Sequence, residues 1–563
     1  MRKSPLSVLL ALVSAVGLGG CSSWGGDTRG QFDATGLTYV AAERAKDRPA
    51  GKGAEERPEL AGFVSEMKIV DGKARLSLEE VVRRTLKNSL TIQVASYTPA
   101  MAETDVLAAE SIFDAVYFLE GSMLNVDHLN MGFVNLAGNQ YTRETTRAAS
   151  TGFRKTLATG GTMTLSEEFN YFFTNSPLMA PRTYGSDLKL ELAQPLLKNL
   201  GLDVTKAQIY IASHNRDASI DQFRRTVMDV LVGIEDLYWQ LVFAVRDVEV
   251  RQRSVTLAEE VYRKEQSREA QQMARPLEVS RARAAYTSRR AELIRAQNLV
   301  RDLSDQMKNL MNDPEFKLTE GVVIAPSDEP PILAPVIDRG AAVVQALDMR
   351  PELQSLRNQI KALEAQWRYD RNQLLPRLDA TFSWLRNSID TTSRHAWYDQ
   401  GTGRFTDYGA GLVFEVPLGN RLAEANYRRS KLAIDQARRS LDQAMQQVIL
   451  EVNSSIREVE TNLEEIGATR EARMAAKDTL AGEQARYDVG DVTNEELLRA
   501  QRDLEEAERN ELQAITRLNV SAMRLERAKG SLLDYDNIHL VNPKDFASRD
   551  VTAKDAKTKD ATK

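Results

Sequence analysis

Cysteine and histidine, the residues most often used as transition-metal ligands or nucleophilic and acid–base groups, occur five times in this 563-residue chain: Cys21, His128, His214, His395 and His539. A metal site needs three or four such ligands at short, regular spacings. These lie far apart and in no ligand pattern, so the histidines read as surface or loop residues. Glu464-Glu465 and Glu505-Glu506 are paired carboxylates of the kind used in acid–base catalysis, but they fall in charge-rich helix patterns with nothing to mark a cleft. Solvated helix faces account for them. The chain has no Gly-x-Ser-x-Gly elbow, no Gly-x-x-x-x-Gly-Lys phosphate loop and no His-Glu-x-x-His motif, and Cys21 has no second cysteine to pair with. The residues predict no enzyme, no metal and no cofactor.

Charge excludes a further class. The 74 basic and 80 acidic residues, net −6, are interleaved along the chain, which leaves no basic footprint for nucleic acid. Acidic side chains lining a conduit would instead bias permeating ions.

Two places remain where residue type and spacing carry a specific message. The first is Cys21. Arg2 and Lys3, the apolar run PLSVLLALVSAVGLGG and the Leu18-Gly19-Gly20 that precedes Cys21 resemble a secretory signal ending in a bacterial lipoprotein cleavage box. Residues 1–20 are then the signal peptide, and Cys21 is lipidated as the new N-terminus. Removal leaves 72 basic and 80 acidic residues, net −8. Ser22, rather than Asp, follows Cys21, which in the lipoprotein sorting pattern implies the outer membrane. The lipid anchors without spanning.

The second is RYDVGDVTNEELLR, residues 486–499, where a long helix pattern stops and restarts. Gly490 suits the φ > 0 conformation that closes a helix, and Thr493 with Glu496 forms a capping box that opens the next. SREAQQMARPLEVSRA repeats this break earlier in the chain. There Arg275-Pro276 marks the restart, and Gln272 stands where Gly490 aligns, at an offset of 218 residues. The two tips therefore read as unequal.

These breaks sit on long helices. Ile434, Ala437, Leu441, Met445, Val448 and Val452 begin a stripe that steps by three or four residues as far as Ile466, and Ile220, Phe223, Val227, Leu231 and Ile234 begin a similar one that ends at Val248. A helix over 420–483 would be about 95 Å long at 1.5 Å per residue. Strand patterns occupy 113–124, 153–173, 184–194, 377–385 and 408–418, joined by polar segments such as 386–407. Leu188, Leu190 and Leu192 alternate with Lys189 and Glu191, so one strand face is apolar and one polar. No apolar run beyond the signal reaches the roughly 20 residues of a spanning helix, so any crossing of a membrane requires a barrel. Two strand pairs are too few to close around a channel, and several chains must share it. If the strands cover a soluble core instead, the chain is a lipid-anchored coiled-coil scaffold of the cell envelope.

The organisation is a signal at 1–20, a lipidated tether at 21–75, two similarly ordered halves at 76–313 and 336–535, a Pro-rich linker at 314–335 and a polar tail at 536–563. SIDQF at 219–223 echoes SLDQA at 440–444, and Pro195 echoes Pro417, which suggests an internal duplication. LEEVVRRTLKNSLTI, LATGGTMTL, LAQPLLKNLGLDVTKAQIYIA, LLPRLDATFSW, FEVPLGNRLAEANYRRSKLAI and RYDVGDVTNEELLRAQ, in this order, resemble the outer-membrane efflux protein (TolC-like) family from about Leu76 to Leu533.

The resemblance implies a mixed, mainly α fold, in which antiparallel coiled-coil helices form a periplasmic α-barrel. It also implies a homotrimer with four strands per chain in one shared outer-membrane β-barrel, and leaves open whether the hairpin at 148–173 joins it. Such proteins are passive, gated exit ducts of tripartite efflux or type I secretion systems, joined by a periplasmic adaptor to an inner-membrane transporter. The adaptor-facing tips would carry Arg275, Pro276, Asp488, Gly490 and Asp491. The gate would carry Tyr487, Glu496 and Arg499, although Val492 stands where the family has Arg and Arg499 where it has an acid.

Overall fold

The computed structural model describes residues 40–41, 73–129, 141–176, 179–273, 275–319, 321–332 and 337–539. Cys21, the signal segment, Val336, most of the tether and residues 540–563 of the tail lie outside the described residues. In chain order the elements are β1 (Val40–Ala41), β2 (Lys73–Leu76), α1 (Leu78–Asn88), α2 (Leu90–Glu110), β3 (Val116–Leu129), β4 (Tyr141–Thr156), β5 (Thr162–Thr174) and β6 (Arg182–Pro195). There follow α3 (Ala207–Ala270), α4 (Pro276–Met311), β7 (Val323–Pro326), α5 (Arg339–Met349), α6 (Pro351–Gln373), β8 (Arg377–Asp390), α7 (Ser393–Thr402), β9 (Thr406–Glu415), α8 (Arg421–Asp488), α9 (Asn494–Lys529) and β10 (Ile538–His539). The predicted helix at 420–483 thus extends to Asp488.

One compact unit comprises residues 1–100, 220–354 and 443–563. Its core is built by the stripes read from the sequence. Val227, Leu231, Ile234, Tyr238 and Leu241 of α3 are buried against Met307 and Met311 of α4 and Met523 of α9. Spacings of three and four residues place them on one helix face. Buried Tyr238 keeps its hydroxyl satisfied, 2.9 Å from Asp328 Oδ2 and 3.2 Å from the Leu76 carbonyl, while Leu78 N–H donates to the same Asp328 oxygen at 2.7 Å. The Pro-rich segment is therefore more than a linker: β7 pairs in parallel with β2, and Ile324 enters the core. Val40–Ala41 likewise pairs antiparallel with Ile538–His539, so strand structure exists in both the tether and the tail.

The other unit comprises residues 101–219 and 355–442. It holds one antiparallel sheet in the order β3-β4-β5-β6-β8-β9. This corrects the expected contribution of four strands. The hairpin at 148–173 belongs to β4 and β5, which lie in the sheet between β3 and β6 and run longer than the sequence pattern indicated. The polar segment 386–407 is also not simply a loop, since β8 continues to Asp390 and α7 follows.

Register aligns the alternation across all six strands. One cross-strand row reads Tyr117, Phe153, Leu165, Leu190, Trp384 and Tyr408. Residues opposite each other in neighbouring strands share a face, so this row is an apolar, largely aromatic line on one side of the sheet. On the other side, the row Glu120, Ser150, Glu168, Asp187 and Asn387 is polar throughout. Tyr117, Phe153 and Tyr408 are 53%, 56% and 73% exposed, so among the described residues these parts of the apolar row are uncovered. No described helix is long and apolar enough to cross a membrane.

Candidate functional site at the helical hairpin tips

The C-terminal ends of α3 and α8 close with the same backbone pattern. The chain enters the left-handed region at Gln272, with φ 60°, and at Gly490, with φ 82°. Met273 N–H donates to the Arg268 carbonyl at 2.8 Å, and Asp491 N–H donates to the Arg486 carbonyl at 2.9 Å. Gln272 N–H reaches Glu269 at 2.8 Å, and Gly490 N–H reaches Tyr487 at 3.1 Å. These bonds close each helix in a Schellman arrangement, with the 218-residue offset kept throughout. The two helix closures are thus alike in backbone and differ in side chains. Glycine takes the conformation freely, whereas Gln272 bears a Cβ penalty of about 1 kcal/mol.

The restarts differ. Arg275 occupies the N-cap position of α4 with no side-chain cap, and Pro276 supplies a preset φ as the first helical residue. Thr493 caps α9 in a capping box, and its N–H donates to Glu496 Oε2 at 3.1 Å. The Glu496 carboxylate is therefore engaged within its own helix end. Arg499 is exposed.

Tyr487 is the buried centre of the tips. It is 2% exposed and packs with Val261, Ala282, Leu497 and Leu498, while Val492 and Leu480 are partly buried against the cluster. Its hydroxyl donates to the buried carboxylate of Glu265 on α3, which also accepts from Arg268 Nη1 at 3.2 Å. The Lys264 ammonium and the Arg268 guanidinium lie 4.7 and 4.8 Å from the ring centroid, within cation–π range. Burial first, and then the Glu265 carboxylate, raise the phenol pKa, so the hydroxyl stays a donor.

Around this centre the pairs are more exposed. Lys264 Nζ lies 2.7 Å from Asp488 Oδ1, and this contact lowers the Asp488 pKa. Arg486 pairs with Asp491 at 3.0 Å, Asn494 Nδ2 donates to the Glu278 carbonyl at 2.9 Å, and Arg281 lies 3.1 Å from Glu495. Deeper in, buried Arg289 donates to the Ser254 and Leu498 carbonyls at 3.2 and 2.9 Å and to Gln501 Oε1 at 2.8 Å. Burial lowers its pKa.

Such an arrangement makes reversible, non-covalent ties between the two hairpins. Sequence reasoning singled out Tyr487 but missed its partners Glu265, Lys264 and Arg268. A signal existed, because Glu265 and Arg268 recur as Glu483 and Arg486 at the 218-residue offset, and both pairs form i, i+3 bridges.

The histidines are dispersed. His128 is on β3, His395 on α7 and His539 on β10, while His214 is a half-buried residue of α3 and not the surface or loop residue expected. Among the described residues no group of three His, Cys, Asp or Glu side chains is placed to hold a metal. An open cleft of about 650 Å³ is lined by Gly201, Asp203, Arg368, Arg371 and Asn372, far in sequence from the tips.

Residues 342–531 match the family model described as outer membrane efflux protein. No curated protein matches the chain. Among solved structures, the outer-membrane channel OprN superposes with a TM-score of 0.60 at 16% identity, covering 81% of this chain and 90% of its own. A membrane protein from Pseudomonas aeruginosa gives 0.60 at 17% identity, covering 85% and 99%. The Campylobacter jejuni CmeC outer membrane channel gives 0.58 at 14% identity, covering 81% and 86%. Residues 342–531 are thus an outer membrane efflux protein domain, in a chain whose fold is that of outer-membrane channels.

Proposed function

We propose that this protein is the exit duct of a tripartite efflux or type I secretion system, a passive gated channel through the outer membrane and periplasm, lipidated at Cys21. The observation that carries the reading is the cross-strand row from Tyr117 to Tyr408, an uncovered apolar face whose opposite side is polar. Lipid on one side and water on the other account for both. Exposed Ile294 on α4 and Leu450 and Met474 on α8 fit helices that pack against further copies, as in a homotrimer.

In this reading Arg275, Pro276, Asp488, Gly490 and Asp491 form the surface that docks a periplasmic adaptor, which links the duct to an inner-membrane transporter. Tyr487 latches the gate, and Glu496 supports it through the helix cap. Arg499 faces solvent and is free to meet a neighbouring copy. Charge reversal at Asp488 or Asp491, or an insertion at Arg275-Pro276, abolishes export while trimers persist. Purified protein forms pores in planar bilayers, and a Cys21→Ser variant still needs detergent. A Cys21→Ser protein that is soluble in water and forms no pore, even with the tips mutated open, would establish the scaffold alternative instead.

A further inference from the structure

The two edges of the six-stranded sheet carry an inference that rests on the channel reading above. β3 and β9 are its terminal strands, 14 and 10 residues long, and each is paired along one side only. Unpaired backbone groups are not tolerated in hydrocarbon, so both edges must find a strand. Every neighbouring pair in the sheet is antiparallel, and six strands in alternation leave β3 and β9 running in opposite directions. β9 of one copy is therefore able to continue the ladder on β3 of the next. Leu412 and Phe414 then stay on the apolar side with Leu119 and Met123.

The hairpin of β4 and β5 decides how wide the closed structure is. It is no flap on the surface, because β4 is bonded along the whole of β3, and β5 along nearly all of β6. Removing it from the sheet would break both ladders, leaving β3 with no partner and β6 paired only with β8.

We propose that three copies of this sheet close into a barrel of eighteen strands, where the family resemblance implies twelve. With strands about 4.8 Å apart and tilted about 40°, the backbone-to-backbone diameter rises from about 24 Å to about 36 Å. Barrels of this strand number leave an aqueous lumen. Glu120, Glu168 and Asp187 lie on the face turned toward it.

The test uses the full-length protein, purified as trimers in lipid nanodiscs. A cryo-electron microscopy cross-section is expected to show eighteen strands. Ala410→Cys, combined in turn with Leu119→Cys, Gly121→Cys or Met123→Cys, is expected to give disulfide-linked chains for at least one register. A membrane-embedded barrel of twelve strands with residues 141–174 outside it overturns the inference and leaves the channel reading standing. Intact trimers with no cross-link in any register also overturn it. Trimers with no barrel in the membrane refute the channel reading itself.

Discussion

Replacing Tyr487 by Phe isolates the contact on which the proposed tip latch depends. The ring remains, so its packing on Leu497 and Leu498 and its approach to Lys264 and Arg268 are kept. Only the hydroxyl is lost, and with it the bond to Glu265, a carboxylate that is 3% exposed. Glu265 keeps its bond from Arg268, but a hydrogen bond to a charged group contributes about 1.5–3 kcal/mol, more than a neutral one. At about 2 kcal/mol, the equilibrium between tied and released tips shifts roughly thirty-fold per chain. The Lys264–Asp488 pair beside it is solvent-exposed and screened, so Lys264→Met shifts the same equilibrium far less. The assay is the opening frequency of purified trimers in planar bilayers, read together with amide exchange at residues 489–493. Tyr487→Phe is expected to raise both by more than tenfold. An opening frequency within twofold of wild type, in a protein whose melting temperature has fallen, would reduce Tyr487 to a packing residue and refute the latch.

Other outcomes follow from particular contacts. Gln272→Gly relieves a side chain held at φ 60° and raises stability by up to about 1 kcal/mol, as measured by thermal melting, whereas Gly490→Gln lowers it by a similar amount. Burial pushes Asp536 up to about 6, and its neighbour Glu235 well above the ordinary carboxylate range, so the folded chain holds a proton there that the unfolded chain releases near pH 4. That stabilisation is complete below about pH 4 and is lost as pH rises through about 6, so the melting temperature should fall between about pH 4 and 6, with the slope flattened in Glu235→Gln. Leu190→Arg, in the apolar row, costs about 2–4 kcal/mol near a bilayer midplane and blocks membrane assembly, while Lys189→Gln on the opposite face leaves it intact, as read by trimer yield in membrane fractions.

What was legible in the sequence is what repeats over short distances. The α3 and α8 stripes, the capping box at Thr493 and Glu496 and the alternation of Leu188, Leu190 and Leu192 each depend on neighbours within a few residues, where residue type alone selects the local backbone. Those features sufficed for two hairpins, strands with two unlike faces and a glycine-closed tip. Tertiary structure decided which faces and edges meet. Tyr487 finds Glu265 across 222 residues, and Leu78 shares Asp328 with Tyr238 across 250 and 90. Period-two alternation says which side of a strand is apolar but not which strand lies beside it, so the place of β4 and β5 between β3 and β6 was hidden. The same holds for β7, a strand that ends in proline inside a Pro-rich stretch and exists because β2 offers it a partner. Periodicity is written in one segment, whereas pairing depends on the backbone groups of two, and only the folded chain brings those together.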